Sequence, residues 1–113
     1  MKEILIYSTK DGKSPFIDWI KTISPDFRVR IYKRINRMKD GNYGDCKRLR
    51  NSQLSELRLD FGKGYRIYFK EINNVIILIL AGSNKSDQNK IIKQADNYYN
   101  EYINRGNFDD DKF

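Results

Sequence analysis

Histidine is absent from this chain of 113 residues. That removes the usual proton carrier near neutral pH and the commonest nitrogen ligand for zinc. Ser-His-Asp and Cys-His catalytic arrangements are excluded with it. Cysteine occurs once, at Cys46, so no internal disulfide forms and no cysteine cluster has metal-binding spacing. The lone thiol reads as a bystander in a reducing compartment. The longest apolar run, Val75 to Ala81, is far too short to span a bilayer. The opening MKEILIYSTKDG lacks a cleavable signal pattern, because its apolar stretch is short and an acid interrupts its start. The carboxylates are scattered, which disfavours a two-metal nuclease. The expectation is a cytoplasmic protein with no membrane partner, no metal and no cofactor.

What the chain does have is positive charge in one place. Its net charge is +7, from 22 Lys and Arg against 15 Asp and Glu. Between Arg28 and Arg50 stand nine bases (Arg28, Arg30, Lys33, Arg34, Arg37, Lys39, Lys47, Arg48 and Arg50), opposed only by Asp40 and Asp45. That segment carries the whole net charge of the chain. Such concentration suits a polyanion partner. It also suits a solvated helix face that keeps a protein dispersed, and composition does not separate the two.

Periodicity predicts an α+β domain over residues 1–104, followed by a polar tail over 105–113. Lys2 to Tyr7 reads as a strand. Ser14-Pro15 and Ser24-Pro25 each open a helix, serine suiting the N-cap and proline the first turn. Phe16, Ile17, Trp19, Ile20 and Ile23 give the first helix an apolar side. Phe27, Ile31, Ile35 and Met38 do the same for the second, which Asp40-Gly41-Asn42 stops. Residues 41–52 read as a loop. From Leu54 the period changes to two, through Leu57, Leu59 and Phe61, and again through Tyr65, Ile67 and Phe69. A Gly62-Lys63-Gly64 loop would pair Leu59 with Ile67, Asp60 with Arg66, Arg58 with Tyr68 and Glu56 with Lys70. Val75 to Ala81 does not alternate, so it should be a central strand covered on both faces. Ser86 or Asp87 can cap a last helix carrying Ile91, Ile92, Ala95, Tyr98, Tyr99 and Tyr102. The order β-α-α-β-β-β-α gives a small, mostly antiparallel sheet packed with an N-terminal helical hairpin and a C-terminal helix.

In this reading the polar side of the hairpin gathers Arg58, Arg66 and Tyr68, and Lys85 overhangs it from the end of the next strand. Two guanidinium groups on a rigid sheet can clamp a phosphate bidentately. Tyr68 can stack on an unpaired base or, beside Arg58, be favoured as phenolate. Lys47, Arg48 and Arg50 would close the rim, and Arg34 and Arg37 on the second helix extend the basic surface for RNA. The bland alternative is ordinary cross-strand ion pairing, worth about 0.2–1 kcal/mol per pair. Gly62-Lys63-Gly64 is no phosphate loop, because no helix start follows it.

The stretch Glu56-Leu57-Arg58, followed by Gly64-Tyr65-Arg66-Ile67-Tyr68-Phe69, is similar to the strand pair of RelE/HigB-type toxins in the RelE/ParE superfamily. The run Leu78-Ile79-Leu80-Ala81-Gly82-Ser83-Asn84-Lys85-Ser86-Asp87-Gln88 resembles the LL-x-GG-x-K-x-x-Q signature of the phage-derived addiction module killer proteins, with Ser83 replacing the second glycine. The opening strand and the Ser14-Pro15-Phe16-x-x-Trp19 helix fit as well. The resemblance spans roughly residues 2–103. It implies a RelE-like fold and the toxin of a type II toxin–antitoxin system. Its partner would be a cognate antitoxin, usually a helix-turn-helix protein encoded by the adjacent gene. The family's strand arginines fall on Arg58 and Arg66, its basic residue after the last strand on Lys85, and its site aromatic on Tyr68. The C-terminal catalytic tyrosine or histidine of some members has no counterpart here.

Most characterised members cleave mRNA on the ribosome, while the ParE branch poisons DNA gyrase. For the first activity the expected chemistry is metal-independent attack of the RNA 2′-hydroxyl on the adjacent phosphate. Arginines stabilise the developing charge, and a Lys, Tyr, Asp or Glu carries the protons. The product would be a 2′,3′-cyclic phosphate, formed in EDTA. A ParE-like gyrase inhibitor and a non-catalytic nucleic-acid or antitoxin-binding module stay open at this point.

Overall fold

A computed structural model describes residues 1–106 and the backbone of 111–112. In chain order the elements are β1 (Glu3–Ile6), α1 (Pro15–Ile20), α2 (Pro25–Met38), β2 (Cys46–Arg48), β3 (Ser55–Arg58), β4 (Arg66–Ile72), β5 (Ile76–Ser83), a 3₁₀ turn (Lys85–Asp87), α3 (Gln88–Arg105) and β6 (Asp111–Lys112). The sheet order is β2-β3-β4-β5-β1-β6. β2, β3, β4 and β5 run antiparallel in succession, and β1 joins β5 in parallel, so the sheet is mixed. Of the expected tail, residues 107–110 and 113 lie outside the described residues. The pair 111–112 lies antiparallel to β1.

Local chemistry explains the element boundaries. Ser14 Oγ accepts the Ile17 amide at 3.3 Å, and prolines occupy the first turns of both α1 and α2. Asn73 and Asn74, both at positive φ, are the central residues of the turn between β4 and β5 that the Val75 amide closes on the Ile72 carbonyl, a conformation asparagine tolerates better than most residues. α1 and α2 cover one face of the sheet with Phe16, Ile20, Ile31, Ile35 and Met38 against Leu57, Ile67, Phe69, Ile77 and Ile79. α3 covers the other with Ala95, Tyr99 and Tyr102 against Leu54, Tyr68, Leu78 and Leu80. β5 is therefore buried on both sides, as its unbroken apolar run requires. Among the described residues no helix is long and apolar enough to cross a membrane.

Three details depart from the periodic reading. Residues 46–48 form an edge strand where a loop was expected, because three residues, two of them charged, give no periodic signal. The β3–β4 register is displaced by two: Leu57 faces Ile67, Glu56 faces Tyr68 and Arg58 faces Arg66. A shift of two keeps every side chain on its face, so the apolar pattern is equally satisfied by both registers. The extra residues lengthen the hairpin loop to begin at Asp60, and Phe61 leaves the strand line to stack on Phe27 at 5.5 Å. In consequence the expected Glu56–Lys70 pair does not form, and the Lys70 ammonium lies 5.8 Å from the Tyr99 ring centre. Nor is Asp60 the cross-strand partner of Arg66. A bulge between Tyr68 and Phe69 then sets both Leu80 and Ala81 toward α3.

Gly82 on β5 is the floor under Trp19. A Cβ there would run into the indole ring, which is itself held by Phe16 and Tyr65. Gly82→Ala is expected to destabilise the fold by about 1–3 kcal/mol through overpacking. A fall in Tm of several degrees would register it.

The far end of α3 is pinned to the sheet through polar groups. Tyr7 donates its hydroxyl to Glu101 Oε1 at 2.6 Å. Arg105 donates to both Glu101 oxygens and, at 2.7 Å, to the Ser8 carbonyl. The Arg105 guanidinium holds the Glu101 carboxyl below its ordinary value of 4.5, and the Tyr7 hydroxyl adds to this. A depressed carboxyl stabilises the fold fully above its ordinary value and loses that contribution as acid protonates the folded form. Tm should therefore drop as the pH falls below about 4.5. Glu101→Gln should flatten that drop in a pH series of thermal melts.

Candidate nucleic-acid interface

The two-residue shift in register decides the geometry of the site. It sets Arg58, the last residue of β3, directly opposite Arg66, the first residue of β4. Directly opposed residues point to one face, and like charges placed so repel. Each guanidinium has little to offset this. Arg58 Nε lies 3.4 Å from Asp45 Oδ1, beyond good hydrogen-bond geometry, and Arg66 Nη1 donates to the neighbouring Tyr65 carbonyl at 3.2 Å. The Nε atoms of both arginines are buried without a hydrogen-bond partner. A buried donor left unmet costs about 1–3 kcal/mol, so the pair has donor capacity to spare for an incoming acceptor.

Lys85 completes the arrangement from the 3₁₀ turn after β5. Its amide donates to the Lys63 carbonyl at 3.3 Å, tying that turn to the β3–β4 loop. The turn approaches so closely that a Cβ on Gly64 (φ +68°) would meet Lys85 Cβ at 3.1 Å. Glycine is needed there for its φ and for the contact. Arg58, Arg66 and Lys85 line one open cleft of 360 Å³ with Asp45 and Asp60. The two acids were not singled out from sequence. Asp45 was visible only as an interruption in the basic segment, and Asp60 only as a supposed ion partner.

Tyr68 does not belong to this cleft. It points to the same side of the sheet, but α3 covers it completely (0% exposed), among Leu54, Leu80 and Ala95. Its hydroxyl shares a 2.9 Å hydrogen bond with Ser83 Oγ. Burial pushes its pKa up to about 12, against the lowering effect of Ser83. Neither base stacking nor a phenolate is compatible with that position. Arg58 and Tyr68, expected as direct cross-strand neighbours, are diagonal ones.

The other basic residues separate. Lys47 and Arg48 sit on successive positions of β2, paired with Glu56 and Ser55, and so point to opposite faces. Neither they nor the exposed Arg50 line the cleft. Arg34 is a clamp within the protein. Its Nη1 donates to the Tyr43 carbonyl at 3.1 Å and its Nη2 to the Arg58 carbonyl at 3.4 Å. Arg37 is exposed one turn further along α2 and shares a second cleft with Arg34.

Fold and cleft together define a small α+β protein with a helix layer on each face of a mixed sheet and a basic cleft at one end of its central hairpin. No protein-family model matches the chain. Over 68 residues it is 47% identical to an uncharacterized protein of Haemophilus influenzae, in an alignment covering 60% of this chain and 68% of that protein. The two belong to one family.

Proposed function

We propose that this chain is the toxin of a type II toxin–antitoxin pair, of the RelE/ParE type, and that it cleaves mRNA at the cleft between Arg58, Arg66 and Lys85. The observation that carries the reading is the opposed arginine pair with its unmet donors. A phosphodiester supplies the acceptors and the negative charge that this pair lacks. In the reaction the 2′-oxygen bonds to phosphorus as the bond from phosphorus to the 5′-oxygen breaks. Arg58 and Arg66 stabilise the charge that builds on the phosphoryl oxygens. With Tyr68 out of reach, the proton carriers within the cleft are Asp45, Asp60 and Lys85. A carboxylate takes the 2′-hydroxyl proton, and the Lys85 ammonium returns one to the departing 5′-oxygen. The products are a 2′,3′-cyclic phosphate and a 5′-hydroxyl, and no metal takes part.

The ribosome would position the message, and the work would take place in the cytoplasm. A helix-turn-helix antitoxin from the adjacent gene would cover the basic cleft and silence it. The burial of Tyr68 favours a second reading, in which the cleft holds RNA or antitoxin without cutting. Induced expression tests the choice, with translation and DNA supercoiling followed separately and RNA ends analysed for cyclic phosphate. Early loss of translation with cyclic-phosphate ends is the expected result. Early loss of supercoiling would instead indicate a gyrase poison, and intact RNA would leave the binding role alone.

A further inference from the structure

Beside the first cleft lies a second, of 320 Å³, walled by Arg30, Lys33, Arg34 and Arg37 of α2 and by Asp60 and Phe61 of the β3–β4 loop. Asp60 lines both, and Arg34, in the wall of the second, donates to the carbonyl of Arg58 in the first. The two clefts therefore adjoin at Asp60, with cations on either side of it. The four bases of α2 stand at i, i+3, i+4 and i+7, so they make a single stripe along the helix.

One member of the stripe is held differently from the rest. The guanidinium of Arg30 lies over the Phe61 ring at 4.0 Å, and Phe61 stacks in turn on Phe27 at 5.5 Å. An exposed arginine is ordinarily free to sweep through solvent. Here two aromatic rings fix the side chain of an exposed residue at the mouth of a cleft. A planar guanidinium held in this way is a platform on which an unpaired base can stack.

The geometry points to Arg30, seated on Phe61, as a base-stacking subsite for the nucleotide next to the phosphate held by Arg58, Arg66 and Lys85. This rests on the RNA reading of the first cleft and narrows it. The substrate is a single strand long enough to occupy both clefts, with an unstacked base beside the reacting phosphate. An acidic peptide would also be drawn to the stripe, but it gains nothing from the seating of the Arg30 guanidinium over the Phe61 ring.

Binding of 2′-O-methyl oligonucleotides, which lack the attacking hydroxyl, tests this by fluorescence anisotropy in EDTA. A dimer of abasic residues, which carries the phosphate but no base, fills the first cleft alone, whereas a hexanucleotide also places a base in the second. Arg30→Lys keeps the charge and removes the plane, and should lower the ratio of hexamer to dimer affinity about tenfold. Phe61→Leu, checked by thermal melting, should move the ratio in the same direction. A hexamer abasic at the adjacent position should bind Arg30→Lys and the native protein alike. If Arg66→Ala weakens hexamer binding while Arg30→Lys leaves the ratio unchanged, the stacking subsite is overturned and the RNA reading stands. If the native protein binds no RNA, both fall. If Arg30→Lys weakens binding of a polyglutamate peptide but not of the hexamer, the second cleft serves an acidic protein partner instead.

Discussion

Arg66→Ala is expected to slow RNA cleavage by about 10²–10³-fold, the usual loss when one preorganised donor to a developing oxyanion is removed. It should do so without unfolding the protein. Arg66 makes one hydrogen bond to its own neighbour's carbonyl, and its charge faces Arg58 across the ladder. Removing it relieves a like-charge contact, so Tm should hold or rise while activity disappears. Arg66→Lys restores charge without the bidentate fork and should recover only part of the rate. Cleavage of a reporter message on ribosomes, followed alongside a thermal melt, reads both quantities. Native-like cleavage and growth arrest by Arg66→Ala would rule out the assignment of this cleft as the active site.

The second large effect is expected at Arg34, and in a different pattern. Arg34 was grouped with Arg37 as an RNA contact on sequence grounds, yet its guanidinium bridges the Tyr43 and Arg58 carbonyls and packs over Gly44. Arg34→Ala should cost about 1–3 kcal/mol through those two lost bonds. It should also let the end of β3 drift, and a displacement near 1 Å can lower a rate about 10²-fold. Stability and kcat should fall together. Arg37→Ala, by contrast, should change only the salt dependence of binding, with a flatter slope and an unaltered Tm. An Arg34→Ala variant with native Tm and a changed salt slope would return Arg34 to the RNA-contact class.

Much of the fold was legible because its strongest signals are local. The paired Ser-Pro starts gave both early helices, and the unbroken run from Val75 gave the doubly covered strand. Arg58 and Arg66 share a face because strand parity sets a face whatever the register, and Lys85 lines the same cleft from the turn after β5. What parity cannot do is distinguish shifts of two residues, and that ambiguity placed Tyr68 where Arg66 stands opposite Arg58. The burial of Tyr68 and Glu56 had a different cause. Their alternation with apolar neighbours suggested an open polar face, but the tyrosine side of α3 needed a surface to cover, and that face is the surface it found. β2 and the Phe27–Phe61–Arg30 stack depend on contacts between distant segments, which periodicity does not report.

The parallel union of β1 with β5 has a kinetic consequence. Glu3 waits for Ile76 and Ile6 for Ile79, so the opening segment has no place in the sheet until most of the chain has been synthesised. Such distant pairings close slowly. Lys85 follows directly upon β5, which makes the three-cation cleft among the last parts to assemble. A nascent chain still threaded through the ribosome therefore lacks the three-cation cluster that the finished fold brings together.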